Sequence, residues 1–147
     1  MTLEMSSHEL TNFLTETHLA RIATVQPDGS PHVTPVWYLW KAPSLLIAVV
    51  STSRKVRNIQ QNPRVAITID TESSPSQGVI IEGTALIKNL SAHVEHEICA
   101  RYIKSSDLEK YLEYTRNNFS SVLLEITPSK IMSWDYAKDP FLRTLGN

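Results

Sequence analysis

Apolar and polar positions alternate in short runs along most of this chain, a period of two that predicts strands, and only a few segments change to the helical period. The first helical segment places Leu10, Phe13 and Leu14 on one face behind Ser6 and Glu9, which have capping-box spacing, so a small helix is expected to lie as a lid on the core. Ala20 to Gln26 reads as a strand, Pro27-Asp28-Gly29-Ser30 as a turn, and Pro31 to Trp40 as one long strand. In that strand Val33, Pro35, Trp37 and Leu39 share one face and His32, Thr34, Val36, Tyr38 and Trp40 the other. Both faces are largely apolar or aromatic, so both are expected to be covered. Pro35 cannot donate to a ladder and implies a bulge, an edge or an opening.

Lys41-Ala42-Pro43-Ser44 then turns the chain into a strand from Leu45 to Val50, a short helix closed by Asn62-Pro63, and a strand from Arg64 to Asp70. Thr71 to Gly78 is polar and aperiodic, a loop. Val79 to Lys88 resumes as a strand in which Gly83 marks a bulge or a close backbone approach. Ser91 caps a helix where Val94, Ile98 and Tyr102 recur every four residues. A second helix begins at Ser106, with Glu109 completing a capping box, and buries Leu108, Tyr111 and Leu112. Ser121 to Thr127 and Lys130 to Asp135 read as two strands joined by Pro128-Ser129, followed by a tail that forms an arm or is partly disordered. About seven mostly sequential strands without a βαβ rhythm predict a mainly β (α+β) fold, an antiparallel barrel with peripheral helices.

The chain's 147 residues suit a single domain spanning 1–147. With 41% hydrophobic and 20% charged residues it has the make-up of an ordinary globular protein. A net charge of -1 argues against general attraction to nucleic acid or membrane, so any basic cluster is a local site. The single Cys99 excludes an internal disulfide and suits a cytoplasmic setting. Met1 to Leu10 lacks the apolar core of a signal peptide, and no apolar run is long enough to span a bilayer.

One such cluster opens the central helix. Ser51, Thr52 and Ser53 are good cap residues, and Arg54, Lys55 and Arg57 follow at once. A first turn normally favours acidic residues, so paired cations there oppose the helix dipole unless an anion sits between them. Free amides, hydroxyls and cations converging on one spot suit a phosphate, with Asn58 to orient it. A solvated basic helix face has the same spacing, and the residues alone do not separate the two readings.

The stretch STSRKVRNIQQNPRVAITID, preceded by ATVQPDGSPHVTPVWYLW and followed by IIEGTALI and EITPSKIMSWD, resembles the pyridoxamine 5'-phosphate oxidase-like split-barrel family, closest to its small branch that uses coenzyme F420 or FMN. The resemblance runs from about Leu19 to Asp135. It implies a split barrel, a homodimer with cofactor sites at the subunit interface, and a flavin- or deazaflavin-dependent oxidoreductase that transfers a hydride to or from a small organic substrate. It places the cofactor phosphate on Ser53, Arg54 and Lys55, with Ser51, Thr52, Arg57 and Asn58 beside it. Thr34, Pro35, Val36 and Trp37 would run along the ring. In one respect the chain departs from the pattern: true pyridoxamine phosphate oxidases tend to carry a phosphate-contacting Gln where this chain has Gly78, with Gln77 one place earlier. Their C-terminal Arg and His pattern is also missing, which argues against vitamin B6 oxidation.

His32, Tyr38 and Trp134 are further candidates for a substrate pocket, each equally readable as a packing or surface residue. Among His93, His96, Glu97 and Cys99, His93 and Glu97 could share a helix face, but His96-Glu97 is not followed by the second His that a zinc-protease pattern needs, where Ala100 stands, so no metal site is expected. Neither a Gly-x-Ser-x-Gly elbow nor Walker glycines occur. The same fold could hold a flavin or tetrapyrrole without turning it over, with His32 or His93 as weak axial ligands, which leaves a carrier as the alternative.

Overall fold

A computed structural model describes residues 2–146. Seven strands form one antiparallel sheet: β1 (Ala20–Val25), β2 (Pro31–Val36), β3 (Leu39–Lys41), β4 (Ser44–Val50), β5 (Arg64–Asp70), β6 (Gln77–Asn89) and β7 (Ser121–Asp135). Their spatial order is β2-β1-β5-β6-β7-β4-β3. The two edge strands, β2 and β3, are continuous in sequence through Trp37-Tyr38, so the chain itself joins the rims of the curled sheet. This is the mainly β, split-barrel architecture expected from the strand pattern.

Alternation decides what fills the barrel. Leu45, Ile47 and Val49 of β4 point inward to meet Ile22, Ile67, Ile69, Val79, Ile81, Leu124 and Ile126, all buried in one core. Helix α1 (Ser7–Thr15) closes this core with Phe13 and Leu14, and Ser6 caps it by accepting from the Glu9 amide at 3.2 Å. Helix α2 (Arg54–Gln61) adds Val56 and Ile59. On the outside of β4 and β7, Leu46 and Leu123 pack against Ile98 of helix α3 (Ala92–Ala100). Helix α4 (Ser105–Asn118) adds Leu108 and Leu112 around Cys99. Helices α3 and α4 thus form a hairpin laid against the barrel exterior.

Several sequence expectations change. The long strand from Pro31 breaks after Val36, because Trp37 and Tyr38 leave the ladder before β3 begins. The outer face of β2 is not covered: Val33 is 63% exposed and Pro31 and Pro35 are exposed too. The two final strands are one, β7, whose register against β6 skips Ser129 at Glu82/Gly83. Pro128, which cannot donate, falls at that irregularity, where no ladder bond is required of it. Gly83 is the close approach expected, since a Cβ there would lie 2.3 Å from the Thr127 carbonyl oxygen. Helix α4 starts at Ser105 with Lys104 in the cap position and no side-chain cap bond, so the Ser106–Glu109 box does not form. The tail folds back instead of forming a free arm. Tyr136 donates its amide to the Ser76 carbonyl, and Lys138 bonds the Glu4 carbonyl and pairs with Glu9. Among the described residues no helix is long and apolar enough to cross a membrane.

Candidate functional site

A cleft of about 540 Å³ opens on the outside of the barrel, between β4, the Trp37-Tyr38 elbow and the α3–α4 hairpin. Its volume is in the range of small-molecule sites. Pro35, Val36 and Trp37 form one wall, Ala48 to Val50 another, and Ile98, Tyr111 and Phe119 a third. Ser53 and Lys55 line it where β4 hands over to α2.

That hand-over has unusual chemistry. Ser53 has cap backbone geometry (φ -66, ψ 155), yet its hydroxyl makes no cap bond, and it is buried without a hydrogen-bond partner among the described residues. A buried hydroxyl with no partner is costly. Lys55 is half-buried in the same cleft, and burial pushes its ammonium below the usual lysine range. No acidic residue occupies the first turn of α2. A partnerless donor, a desolvated cation and the positive end of a helix dipole all call for an anion with acceptor oxygens. The residues present therefore fit a phosphate group.

The other expected site residues are placed as follows. Thr34 lies on β2 with its hydroxyl buried and without a hydrogen-bond partner among the described residues, but it does not line the cleft. Ser51 and Thr52 precede the helix off the cleft wall, the Ser51 amide donating to the Ser120 carbonyl at 2.8 Å. Arg54 turns away and donates to Gln26 Oε1 at 3.0 Å, while Arg57 is exposed on the helix surface. Asn58 faces the core, 3% exposed, where its Nδ2 donates to Thr24 Oγ1 at 3.0 Å.

Tyr38 is fully buried, and its hydroxyl donates to the carbonyls of Leu14 and Glu16, so it ties α1 to the elbow away from the cleft. His32 is half-buried opposite Thr24 on β1. Trp134 donates its indole N–H to Ser76 Oγ at 3.0 Å and lies over Gly78, where a Cβ would come within 2.2 Å of the indole ring. The space beside position 78 is therefore filled by Trp134. His93 sits 2.8 Å from Glu97, which also takes Lys41, in a surface ion-pair cluster.

The sequence reading missed much of the α3–α4 wall. Glu95 lines the cleft with its carboxylate held 2.6 Å from Arg116 Nε. Burial, with Glu95 nearby, pushes the Cys99 thiol up to about 11, so it stays protonated and unreactive near neutral pH. Burial also raises Tyr111. These residues sit on helices whose apolar spacing signalled only packing, and nothing in a period of four shows which barrel face a hairpin will cover.

Comparison with known proteins bears on the family and the fold. The family model described as pyridoxamine 5'-phosphate oxidase matches residues 6–135. A conserved hypothetical protein from Mycobacterium tuberculosis superposes with a TM-score of 0.74 at 25% identity, covering 92% of this chain and 88% of that one. An F420 reductase matches with a TM-score of 0.65 at 22% identity, over 82% of this chain and 93% of its own. The haem storage protein HutZ from Vibrio cholerae matches with a TM-score of 0.65 at 17% identity, over 89% of this chain and 94% of its own. The last two likenesses are of fold alone.

Proposed function

Because the chain belongs to the pyridoxamine 5'-phosphate oxidase family, whose model matches residues 6–135, we propose that its cleft binds a phosphorylated flavin-type cofactor, F420 or FMN, for oxidoreductase chemistry on a small organic substrate. The observation that carries this reading is the buried, partnerless Ser53 hydroxyl beside a half-buried Lys55 at the start of α2. Ser53, the first-turn amides of α2 and the Lys55 ammonium hold the phosphate by charge-assisted hydrogen bonds. The wall from Pro35 to Trp37 supports the ring, partly through backbone groups that the elbow leaves outside the ladder. When bound, the cofactor supplies the hydride chemistry, and the protein supplies binding, orientation and exclusion of water. Cys99 is protonated and Glu95 is paired with Arg116, so these two side chains line the cleft as neutral or compensated groups.

Vitamin B6 oxidation is not part of this reading, since Gly78 and the Trp134 ring leave no room for the Gln side chain of true oxidases. The proposal includes a homodimer, in which a second copy covers the bare outer face of β2 around Val33. Among the described residues, the cleft wall carries no imidazole for haem, which favours a flavin-type ring over a tetrapyrrole.

The test offers purified protein each cofactor in turn, following visible absorbance and fluorescence quenching, and then mixes the reduced complex with a panel of acceptors. The expected outcome is saturable binding of F420 or FMN and acceptor-dependent reoxidation. Binding with no reoxidation by any acceptor would make the chain a carrier, and binding of neither cofactor would end the reading.

A further inference from the structure

The elbow at Trp37-Tyr38 is held by a residue outside the barrel. Neither residue belongs to a strand, so the Tyr38 amide lacks a ladder partner. The Tyr102 hydroxyl supplies one, accepting from that amide at 3.2 Å and donating to the His18 carbonyl at 2.7 Å. The Tyr102 ring also lies flat against the Trp37 indole, with centroids 4.9 Å apart and planes 5° from parallel. Next to it, Arg101 donates to the Thr15 and Glu16 carbonyls and lies over the Tyr38 ring at 5.0 Å. The end of α3 therefore fixes both the elbow and the segment leading to Leu19, and both Trp37 and Leu19 line the cleft.

We propose that Tyr102 is a positioning residue: its hydroxyl pins the elbow so that Trp37 stands in the cleft wall as a platform for the ring of the bound molecule. The contact geometry separates the two parts of its role. Phenylalanine at this position keeps the flat contact with Trp37 and removes every hydrogen bond of the hydroxyl, including the long one to the Tyr38 carbonyl at 3.5 Å, leaving the Tyr38 amide without its acceptor. Ser53 and Lys55, which take the phosphate, belong to a different element and are untouched by the change. The consequence for cofactor binding rests on the function proposed above; the consequence for Trp37 does not.

The experiment uses the full chain with three substitutions: Tyr102→Phe, Trp37→Phe and the double variant. The indole N–H resonances of Trp37, Trp40 and Trp134 are resolved by heteronuclear NMR, with Trp37→Phe assigning the first. In Tyr102→Phe the Trp37 resonance should shift or broaden while those of Trp40 and Trp134 hold, which also reports that the variant is folded. Affinity for FMN or F420 should fall about tenfold, the loss of one such hydrogen bond. Affinity for glycerol 3-phosphate, which has a phosphate and no ring, should not change. Trp37→Phe should lower cofactor affinity as well, and the double variant should lose no more than the larger single loss.

An unmoved Trp37 resonance in Tyr102→Phe, or additive losses in the double variant, would overturn the assignment. If Tyr102→Phe does not fold, Tyr102→Trp keeps a flat ring but carries only a donor, which cannot accept from the Tyr38 amide, and a displaced Trp37 resonance and weakened cofactor binding are required there. If the parent chain binds neither cofactor, the redox reading fails by itself, and the Trp37 resonance still decides the role of Tyr102.

Discussion

Ser53 has the backbone of a helix cap but none of its hydrogen bonding, and Lys55 has a charge that its surroundings disfavour. The anion proposed to bind here would restore to both what burial removes. The pH response of Lys55 has a definite sign. Burial lowers its pKa in the free protein from 10.5, and a bound phosphate would raise it again. Cofactor binding should therefore weaken as pH rises through the free-protein value of Lys55. Titrating cofactor affinity from pH 7 upward in the parent and in Lys55→Arg checks this: the alkaline loss should be reduced in the arginine variant, because its guanidinium stays charged. Equal pH profiles would remove Lys55 from the site. At this scale the sequence was informative where residue type alone limits the chemistry, as with hydroxyls and cations opening a helix without an acid. It could not tell which way each side chain turns. Arg54, Lys55 and Asn58 lie on one short helix, yet Arg54 bonds Gln26, Lys55 faces the cleft and Asn58 bonds Thr24 in the core.

The elements were legible as a count and an order, and less so at their interruptions. Period-two alternation cannot show that Trp37 and Tyr38 leave the ladder, because the partner that makes the break tolerable, Tyr102, lies 64 residues away. Pro128-Ser129 reads as a turn on local chemistry, but a long partner strand carries β7 straight through it. Gly83 was readable, since a lone glycine amid strand residues marks a bulge or a close approach. Gly83→Ala should therefore destabilise the protein by about 2–3 kcal/mol, because the new Cβ meets backbone with little freedom to retreat. A urea unfolding curve checks it. An unchanged midpoint would mean the β6–β7 irregularity is softer than its geometry implies. Cofactor affinity of the folded variant should be preserved, as Gly83 does not line the cleft.

At the scale of the whole molecule, the barrel and the α3–α4 hairpin have separate apolar clusters, and the cleft lies where the second leans on the first. The hydrophobic pattern specified each cluster but not their docking, which depends on Ile98 meeting Leu46 and Leu123 across long sequence separations. The bare outer face of β2 is the other feature that a single chain leaves open, and the proposed second copy would cover it. In the proposed function the start of α2 anchors a phosphate while the cleft holds a ring. The most direct test compares cofactor affinity and thermal stability in the parent and in Lys55→Ala. Loss of a charge-assisted hydrogen bond to phosphate should weaken F420 or FMN binding by about tenfold or more, while stability without cofactor changes by less than about 1 kcal/mol. Unchanged affinity in a folded Lys55→Ala protein would contradict the account.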